Sequence, residues 1–146
     1  MGVGNPDKAD DGIGVYIAEK LIKKGFPDVY NCMEVPENYA VKACAEQPDN
    51  IIIIDAVCMD EQPGTVKVLC SDDLSGGIST HNAGLDMLCD FIKNESNANI
   101  YIIAIQPAAI TGDMTPEVMD AGERVLEVMG GFLCKNHKKP KNLKDE

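Results

Sequence analysis

The sequence lacks the features that mark membrane, secreted and nucleic-acid-binding proteins. No apolar run is long enough to span a bilayer, and no signal peptide precedes the first motif. Positive charge is scarce, because 13 lysine and arginine residues stand against 24 aspartate and glutamate residues, for a formal net charge of −11. Phosphate groups repel a chain this acidic, so we expect neither nucleic acid nor an anionic membrane surface as a partner.

The six cysteines include no CxxC pair, although an even number would suit disulfide bonds in a short secreted protein. Structural zinc sites also use cysteines in close pairs, so we expect no such site. We predict that most of these cysteines are small buried residues in a reducing cytoplasm. Cys58 lies near a candidate site residue, and its thiol is either reactive or buried and structural, the second being the default.

Familiar catalytic motifs are absent as well. The chain has no G-x-S-x-G elbow, no H-E-x-x-H helix and no P-loop lysine. Its opening segment, residues 2–14, has the layout of a nucleotide-binding loop, in which a glycine turn joins a strand to a helix. Here the loop carries Asp7, Asp10 and Asp11, and Asp7 takes the place of the third glycine of G-x-G-x-x-G. An acidic loop at such a corner suits a cation or a polarised peptide better than a dinucleotide.

Segments typical of strands and helices alternate along the chain. Continuous apolar runs predict strands that are buried on both faces. The predicted strands cover residues 29–35, 50–57, 65–69 and 99–105. The predicted helices cover residues 12–24, 37–47 and 83–93, and the last begins at the N-cap Thr115 followed by Pro116. This alternation predicts an α/β domain with a mostly parallel sheet covered on both faces.

The 146 residues suffice for one domain with a substantial core. We assign residues 1–134 to this domain and residues 135–146, which are rich in lysine and asparagine, to a flexible basic tail. Only Met1 to Val3 precede the glycine turn, so the first strand is very short or has lost upstream residues in this numbering.

Three polar residues follow predicted strands, at the sheet edge where ligands bind in parallel α/β domains. Asp11 lies after the first strand, Asp55 closes the most apolar strand, and His81 precedes a helix. Two carboxylates and one imidazole suit a divalent transition metal with open positions for water or substrate, or general acid–base catalysis. Each also has a purely structural interpretation: Asp11 as a helix cap, Asp55 as an anchor for a turn, and His81 as a residue that begins a helix. We expect three further aspartates to be solvated: Asp7, Asp10 and Asp60.

Short motifs along the chain lie in the order and spacing found in nickel–iron hydrogenase maturation endopeptidases. The sequence resembles that family from Gly2 to about Cys134, and Pro36-Glu37-Asn38 resembles the branch that processes formate-hydrogenlyase-type and related archaeal hydrogenases. The motifs are Gly2-Val3-Gly4-Asn5, Asp10-Asp11-Gly12-Ile13-Gly14, Ile54-Asp55-Ala56, Pro63-Gly64, Ser79-Thr80-His81-Asn82 and Ile105-Gln106-Pro107.

The resemblance implies a five-stranded twisted sheet between helices, a three-layer sandwich. It also implies a cytoplasmic protease that removes a carboxyl-terminal peptide from the hydrogenase large-subunit precursor after nickel insertion, with the precursor's nickel as the recognition mark. The family's three metal-contacting positions fall on Asp11, Asp55 and His81. Nickel supplied by the precursor is then the only metal required, and no organic cofactor is needed. No extended apolar patch is readable in the sequence, so we expect a monomer.

Two rival functions remain open at this point. One is a nickel-dependent binding module or chaperone that recognises the immature large subunit without cutting it. The other is a nucleotide-binding α/β domain, which the acidic loop disfavours. Whether Asp11 or Asp55 acts as the base, or the metal polarises the peptide carbonyl, is also open.

Overall fold

The computed structural model describes residues 1–76 and 83–136, which form a five-stranded sheet with helices on both faces. The strands are β1 (Gly2–Val3), β2 (Asn31–Met33), β3 (Asn50–Ala56), β4 (Val66–Cys70) and β5 (Asn99–Ile105). The helices are α1 (Ile13–Lys23), α2 (Glu37–Ala45), α3 (Ala83–Glu95) and α4 (Pro116–Asn136). Short 3-10 turns over Ala9–Gly12 and Ser71–Gly76 precede α1 and follow β4.

The sheet has the strand order β2-β1-β3-β5-β4, and only β4 runs antiparallel to its neighbour. The two long strands β3 and β5 pair in regular register at the centre, from Asn50 opposite Asn99 to Ala56 opposite Ile105. This arrangement confirms the predicted α/β class with a mostly parallel sheet. It also brings the carboxyl ends of β1, β3 and β5 to one edge, which we call the carboxyl edge.

Side chains of the central strands alternate between two cores, because successive residues of a strand point to opposite faces. On β3, Ile51 and Ile53 pack with α2 and α3, whereas Ile54 packs with α1 and α4. Each apolar run of the sequence therefore serves both cores, as expected for a strand covered on both sides.

Several predicted boundaries differ from the observed ones. The predicted strand at 29–35 shortens to Asn31–Met33, and β1 has only two residues. The assigned tail began at residue 135, but α4 continues through Asn136. Pro116 is the first residue of α4, as predicted, and the Thr115 carbonyl accepts the Met119 N–H at 3.0 Å. Within the described ranges, no helix is both long and apolar enough to cross a membrane.

The prediction that most cysteines are buried is wrong. All six are free thiols, of which Cys32, Cys44 and Cys89 are buried and the other three are exposed. Burial raises the pKa of the Cys32 thiol and that of the Cys89 thiol to about 11, so both stay protonated and behave as small apolar groups. Cys58 is exposed, which contradicts its default interpretation as a buried structural residue.

Candidate active site

Asp55 lies at the carboxyl edge, near the end of the central strand β3. It is a rare polar residue inside the core, with 3% of its surface exposed. Because side chains alternate along β3, Asp55 shares the face of Ile51 and Ile53, the face covered by α2 and α3. Its backbone pairs with Ala104 of β5, so the strand fixes its position.

A tight glycine-dependent turn brings Asp11 to the end of β1. Gly4 has a φ of +137°, and a Cβ at this position would lie 1.8 Å from the Asp11 carbonyl oxygen. Only glycine allows the backbone to approach this closely with such a φ. The Asn5 N–H then donates to Asp11 Oδ2 at 3.0 Å, which holds the carboxylate over the loop.

The start of α1 lies directly against both β1 and β3. A Cβ added to Gly14 would lie 2.3 Å from the Val3 carbonyl oxygen and 2.3 Å from the Ile54 carbonyl oxygen. Such an approach is possible only without a side chain, which explains the glycine two residues into the helix. Because Ile54 immediately precedes Asp55, this contact sets the acidic turn and Asp55 at the same sheet edge.

The helix-cap interpretation of Asp11 is not what the structure shows. The N-cap of α1 is Gly12, with no side-chain capping bond, and the Asp11 carboxylate instead accepts the Asn5 N–H. Its Oδ1 accepts no hydrogen bond within the described part of the chain. Among the described residues, Asp11 therefore has lone pairs available for a ligand, whereas a capping residue would use them on the helix.

Asp10 was predicted to be solvated, and this prediction is wrong, because Asp10 is completely buried with 0% exposure. Its Oδ2 accepts the N–H groups of Ala108 and Ala109 at 2.8 and 2.9 Å, and its Oδ1 accepts the Thr115 N–H at 2.7 Å. The Thr115 hydroxyl adds a donor 3.0 Å from each oxygen. These contacts clamp the turn that carries Asp11 to the segment between β5 and α4.

The environment of Asp10 favours its ionised form. Burial opposes ionisation, but the hydrogen bonds from Thr115, Ala109 and Ala108 outweigh it, so the pKa of the Asp10 carboxyl lies below its usual value. A buried carboxylate with this many donors is a structural anion. The sequence offered no local sign of it, since its partners lie 98 to 105 positions further along the chain.

Gln106, at the end of β5, organises the loop that follows β3. The side chain is buried, and its Oε1 accepts the N–H groups of Met59 and Glu61 at 2.6 and 3.3 Å. Its Nε2 donates to the Pro107 carbonyl oxygen at 3.1 Å. The sequence marked Gln106 only as part of a family motif, and the structure shows that it fixes the loop beside Asp55.

The third predicted site residue, His81, lies outside the described residues, as does the Ser79–Asn82 motif around it. The structure describes α3 from Ala83 onward. Since α3 leads into the amino end of β5, its first residue lies toward the carboxyl edge. No group of three or more histidine, cysteine, aspartate or glutamate side chains within residues 1–76 and 83–136 is arranged to hold a metal. Of the three expected site residues, Asp11 and Asp55 thus lie at the carboxyl edge within the described residues.

Comparisons with known proteins identify the family. The family model described as hydrogenase maturation protease matches residues 36–130. The chain belongs to the hydrogenase maturation protease family. It is 32% identical over 136 residues to the hydrogenase 3 maturation protease of Escherichia coli K12, an alignment that covers 89% of this chain and 86% of that protein.

Solved structures of maturation proteases share this fold. A crystal structure of the NiFe hydrogenase maturation protease HycI from Thermococcus kodakarensis aligns with a TM-score of 0.80 and 29% identity, covering 91% of this chain and 89% of that one. The solution structure of the endopeptidase HycI from Escherichia coli aligns with a TM-score of 0.74 and 29% identity, covering 89% and 86%. The family resemblance of the sequence is confirmed, the protein is a peptidase, and the nucleotide-binding and non-cleaving alternatives are not favoured.

Proposed function

We propose that this maturation protease removes the carboxyl-terminal peptide of a NiFe hydrogenase large-subunit precursor after nickel insertion, using Asp11, Asp55 and His81. Nickel belongs to the substrate in this proposal, because it arrives in the precursor, and no organic cofactor takes part. The enzyme is then a peptidase of the aspartic or nickel-assisted type.

One observation supports the proposal most strongly. The close contact of Gly14 with the Val3 and Ile54 carbonyl oxygens brings the Asp11 turn and the end of β3 together. Asp55 is a nearly buried acid on the central strand β3, and Asp11, on the adjoining turn, has an Oδ1 that accepts no hydrogen bond from the described residues. Two carboxylates in this setting provide the oxygen ligands of a mixed oxygen and nitrogen site, and His81 adds the nitrogen.

The chemistry follows from those side chains. Ligands from the protease complete the coordination of the precursor's nickel, so a precursor without nickel binds more weakly and is spared. Binding then holds the scissile peptide beside a carboxylate, which takes a proton from water. The resulting hydroxide adds to the peptide carbonyl carbon, the C–N bond breaks, and the proton passes to the departing amine.

The setting of the enzyme forms part of the same proposal. Half of the cysteines are exposed free thiols, which suits a reducing cytoplasm, where hydrogenase precursors would be available. We expect a monomer, because no extended apolar patch is readable in the sequence. Sedimentation of the purified protein tests the monomer directly.

The test is incubation of the protease with the large-subunit precursor of its own hydrogenase, with and without nickel, followed by intact-mass measurement. The proposal expects loss of one carboxyl-terminal peptide from the nickel-loaded precursor alone. A stable complex in which the peptide stays attached would support the non-cleaving binding module. Equal cleavage of both precursors would refute the role of nickel as the recognition mark.

A further inference from the structure

The side chain of Gln106 extends the pairing of β3 with β5 beyond the backbone ladder. At the end of these strands, the Val57 N–H donates to the Ile105 carbonyl oxygen at 2.9 Å. Further along the chain, the buried Gln106 Oε1 becomes the acceptor, with the Met59 N–H at 2.6 Å and the Glu61 N–H at 3.3 Å. The loop that follows β3 is therefore held to the end of β5 by one carboxamide group.

Gln106 also fixes the direction in which the chain leaves β5. Its Nε2 donates to the Pro107 carbonyl oxygen at 3.1 Å, and the proline ring restricts φ at the next residue to about −65°. Its backbone is bound as well, because the Gly64 N–H donates to the Gln106 carbonyl oxygen and the Gln106 N–H donates to the Thr65 carbonyl oxygen, both at 2.9 Å. The position of Ala108, two residues further on, follows from these restraints.

The same segment holds the acidic turn. Asp10 bonds to Ala109 in both directions, since its N–H donates to the Ala109 carbonyl oxygen at 3.2 Å and its Oδ2 accepts the Ala109 N–H at 2.9 Å. The Ala108 N–H donates to the same carboxylate oxygen at 2.8 Å. Because Asp11 directly follows Asp10, the position of this segment determines where the Asp11 turn lies. An extended chain covers the distance from Gln106 to Ala109 in at most about 11 Å.

β5 and the residues after it thus connect the two acids of the proposed site. Asp55 pairs with Ala104 of β5. The turn that carries Asp11 is held at Ala109. Gln106 lies between these two attachment points, and its side chain bonds to the loop after β3 and to the chain that leaves β5. A displacement of about 1 Å between reacting groups slows a reaction by up to about a hundredfold, so the spacing of the two acids matters for the rate.

We propose that Gln106 is a positioning residue for the cleavage reaction, because it fixes the separation of the Asp55 and Asp11 carboxylates. Gln106 acts through the two acids and makes no contact with the reacting atoms. This inference rests on the proposed function, in which both carboxylates take part. A purely structural Gln106 would behave differently, since its loss would lower the folded fraction and leave the rate of each folded molecule unchanged.

Gln106→Met removes the carboxamide, because methionine fills a similar volume but bonds to neither loop N–H. Hydrogen exchange followed by NMR reports on the loop without any substrate. The Met59 amide should exchange at least about tenfold faster in the variant than in the parent, whereas the Val57 amide, which bonds to the β5 backbone, should keep its rate. Exchange of the Met59 amide in the parent at the rate of an unprotected amide would overturn the inference, whether or not the variant folds.

Single-turnover cleavage of the nickel-loaded precursor at saturating protease measures the reaction itself. Gln106→Met should lower the maximal rate constant about ten- to a hundredfold at a temperature where it is fully folded. Gln106→Glu keeps an acceptor for both loop N–H groups, so it should cleave at a rate closer to that of the parent. The matched control is Ser96→Ala at the opposite edge, where Ser96 Oγ accepts the Ala98 N–H at 3.3 Å in the loop before β5, and it should cleave as the parent does.

Two results of the cleavage assay would overturn the inference. One is an unchanged maximal rate constant in Gln106→Met with only a smaller folded fraction, which would make Gln106 a structural residue. The other is an equal loss of rate in Ser96→Ala, because the loss would then follow from general destabilisation. A parent that leaves the precursor uncleaved refutes the proposed function, whereas equal cleavage by the parent and by Gln106→Met refutes this inference alone, so the two failures are distinguishable.

Discussion

Replacing Asp10 by asparagine tests how the structure holds the acidic turn at the carboxyl edge. The carboxylate receives three backbone N–H groups and the Thr115 hydroxyl, all in a site with no solvent exposure. Asparagine keeps one acceptor oxygen but turns an NH₂ group toward donors. Leaving one or two buried donors unpaired should cost about 2 to 4 kcal/mol of unfolding free energy.

The loss should depend on pH with a sign that follows from the lowered pKa of Asp10. An acid whose pKa is depressed by folding contributes its full stability above the ordinary aspartate value of about 3.9, and loses that contribution as the pH falls through the native pKa. The gap in unfolding free energy between the parent and Asp10→Asn should therefore be largest near neutral pH and narrow below about pH 4.

Urea unfolding at a series of pH values measures this gap. Asp7→Asn is the matched control, because Asp7 lies on the same loop with its side chain exposed, and it should change stability by less than about 0.5 kcal/mol. Equal stability of Asp10→Asn and the parent at neutral pH would refute the reasoning. So would a gap of constant size across the series.

Three further predictions concern the carboxyl edge. Gly14→Ala should destabilise the fold by more than about 3 kcal/mol, because the new Cβ would clash with two carbonyl oxygens. The control Gly130→Ala, in open space inside α4, should stabilise the fold by up to about 1 kcal/mol. Thermal unfolding measures both changes. Asp11→Asn should leave the thermal midpoint unchanged and slow precursor cleavage, because the amide donates where a ligand needs an acceptor; a large fall in the midpoint would instead assign Asp11 a structural role. His81→Ala should abolish cleavage in the intact-mass assay with little loss of stability, and normal processing by this variant would remove His81 from the proposed site.

The central fold could be predicted because its strands are covered on both sides. A strand buried on both faces is a continuous apolar run, so the predicted strand at 99–105 matches β5 and the predicted strand at 50–57 matches β3 to within one residue. The strand predicted at 29–35 is longer than the observed β2, which has three residues. β2 is an edge strand in which only Cys32 is buried. Short edge strands bury few residues, so their pattern in the sequence is weak.

The clearest sign of the candidate site in the sequence is a polar residue that ends an apolar run. Asp55 stands out for this reason, and the structure places it at the carboxyl edge with 3% exposure. The burial of Asp10 could not be predicted from the sequence, because it depends on partners about a hundred residues away. The role of Gln106 could not be predicted from the sequence either, because it depends on the position of the Met59 and Glu61 backbone N–H groups in the fold.

The most direct test of the account is single-turnover cleavage of the nickel-loaded precursor by Asp55→Asn. Asparagine preserves the shape of this nearly buried side chain but removes the carboxylate, which under the proposal acts either as the base or as a nickel ligand. We therefore predict cleavage slowed by at least about a hundredfold with little loss of thermal midpoint. Asp49→Asn, an exposed acid just before β3 at the opposite edge, should cleave as the parent does. Cleavage by Asp55→Asn at a rate close to that of the parent, or a loss of activity that only accompanies unfolding, would contradict the proposal that Asp55 belongs to the active site.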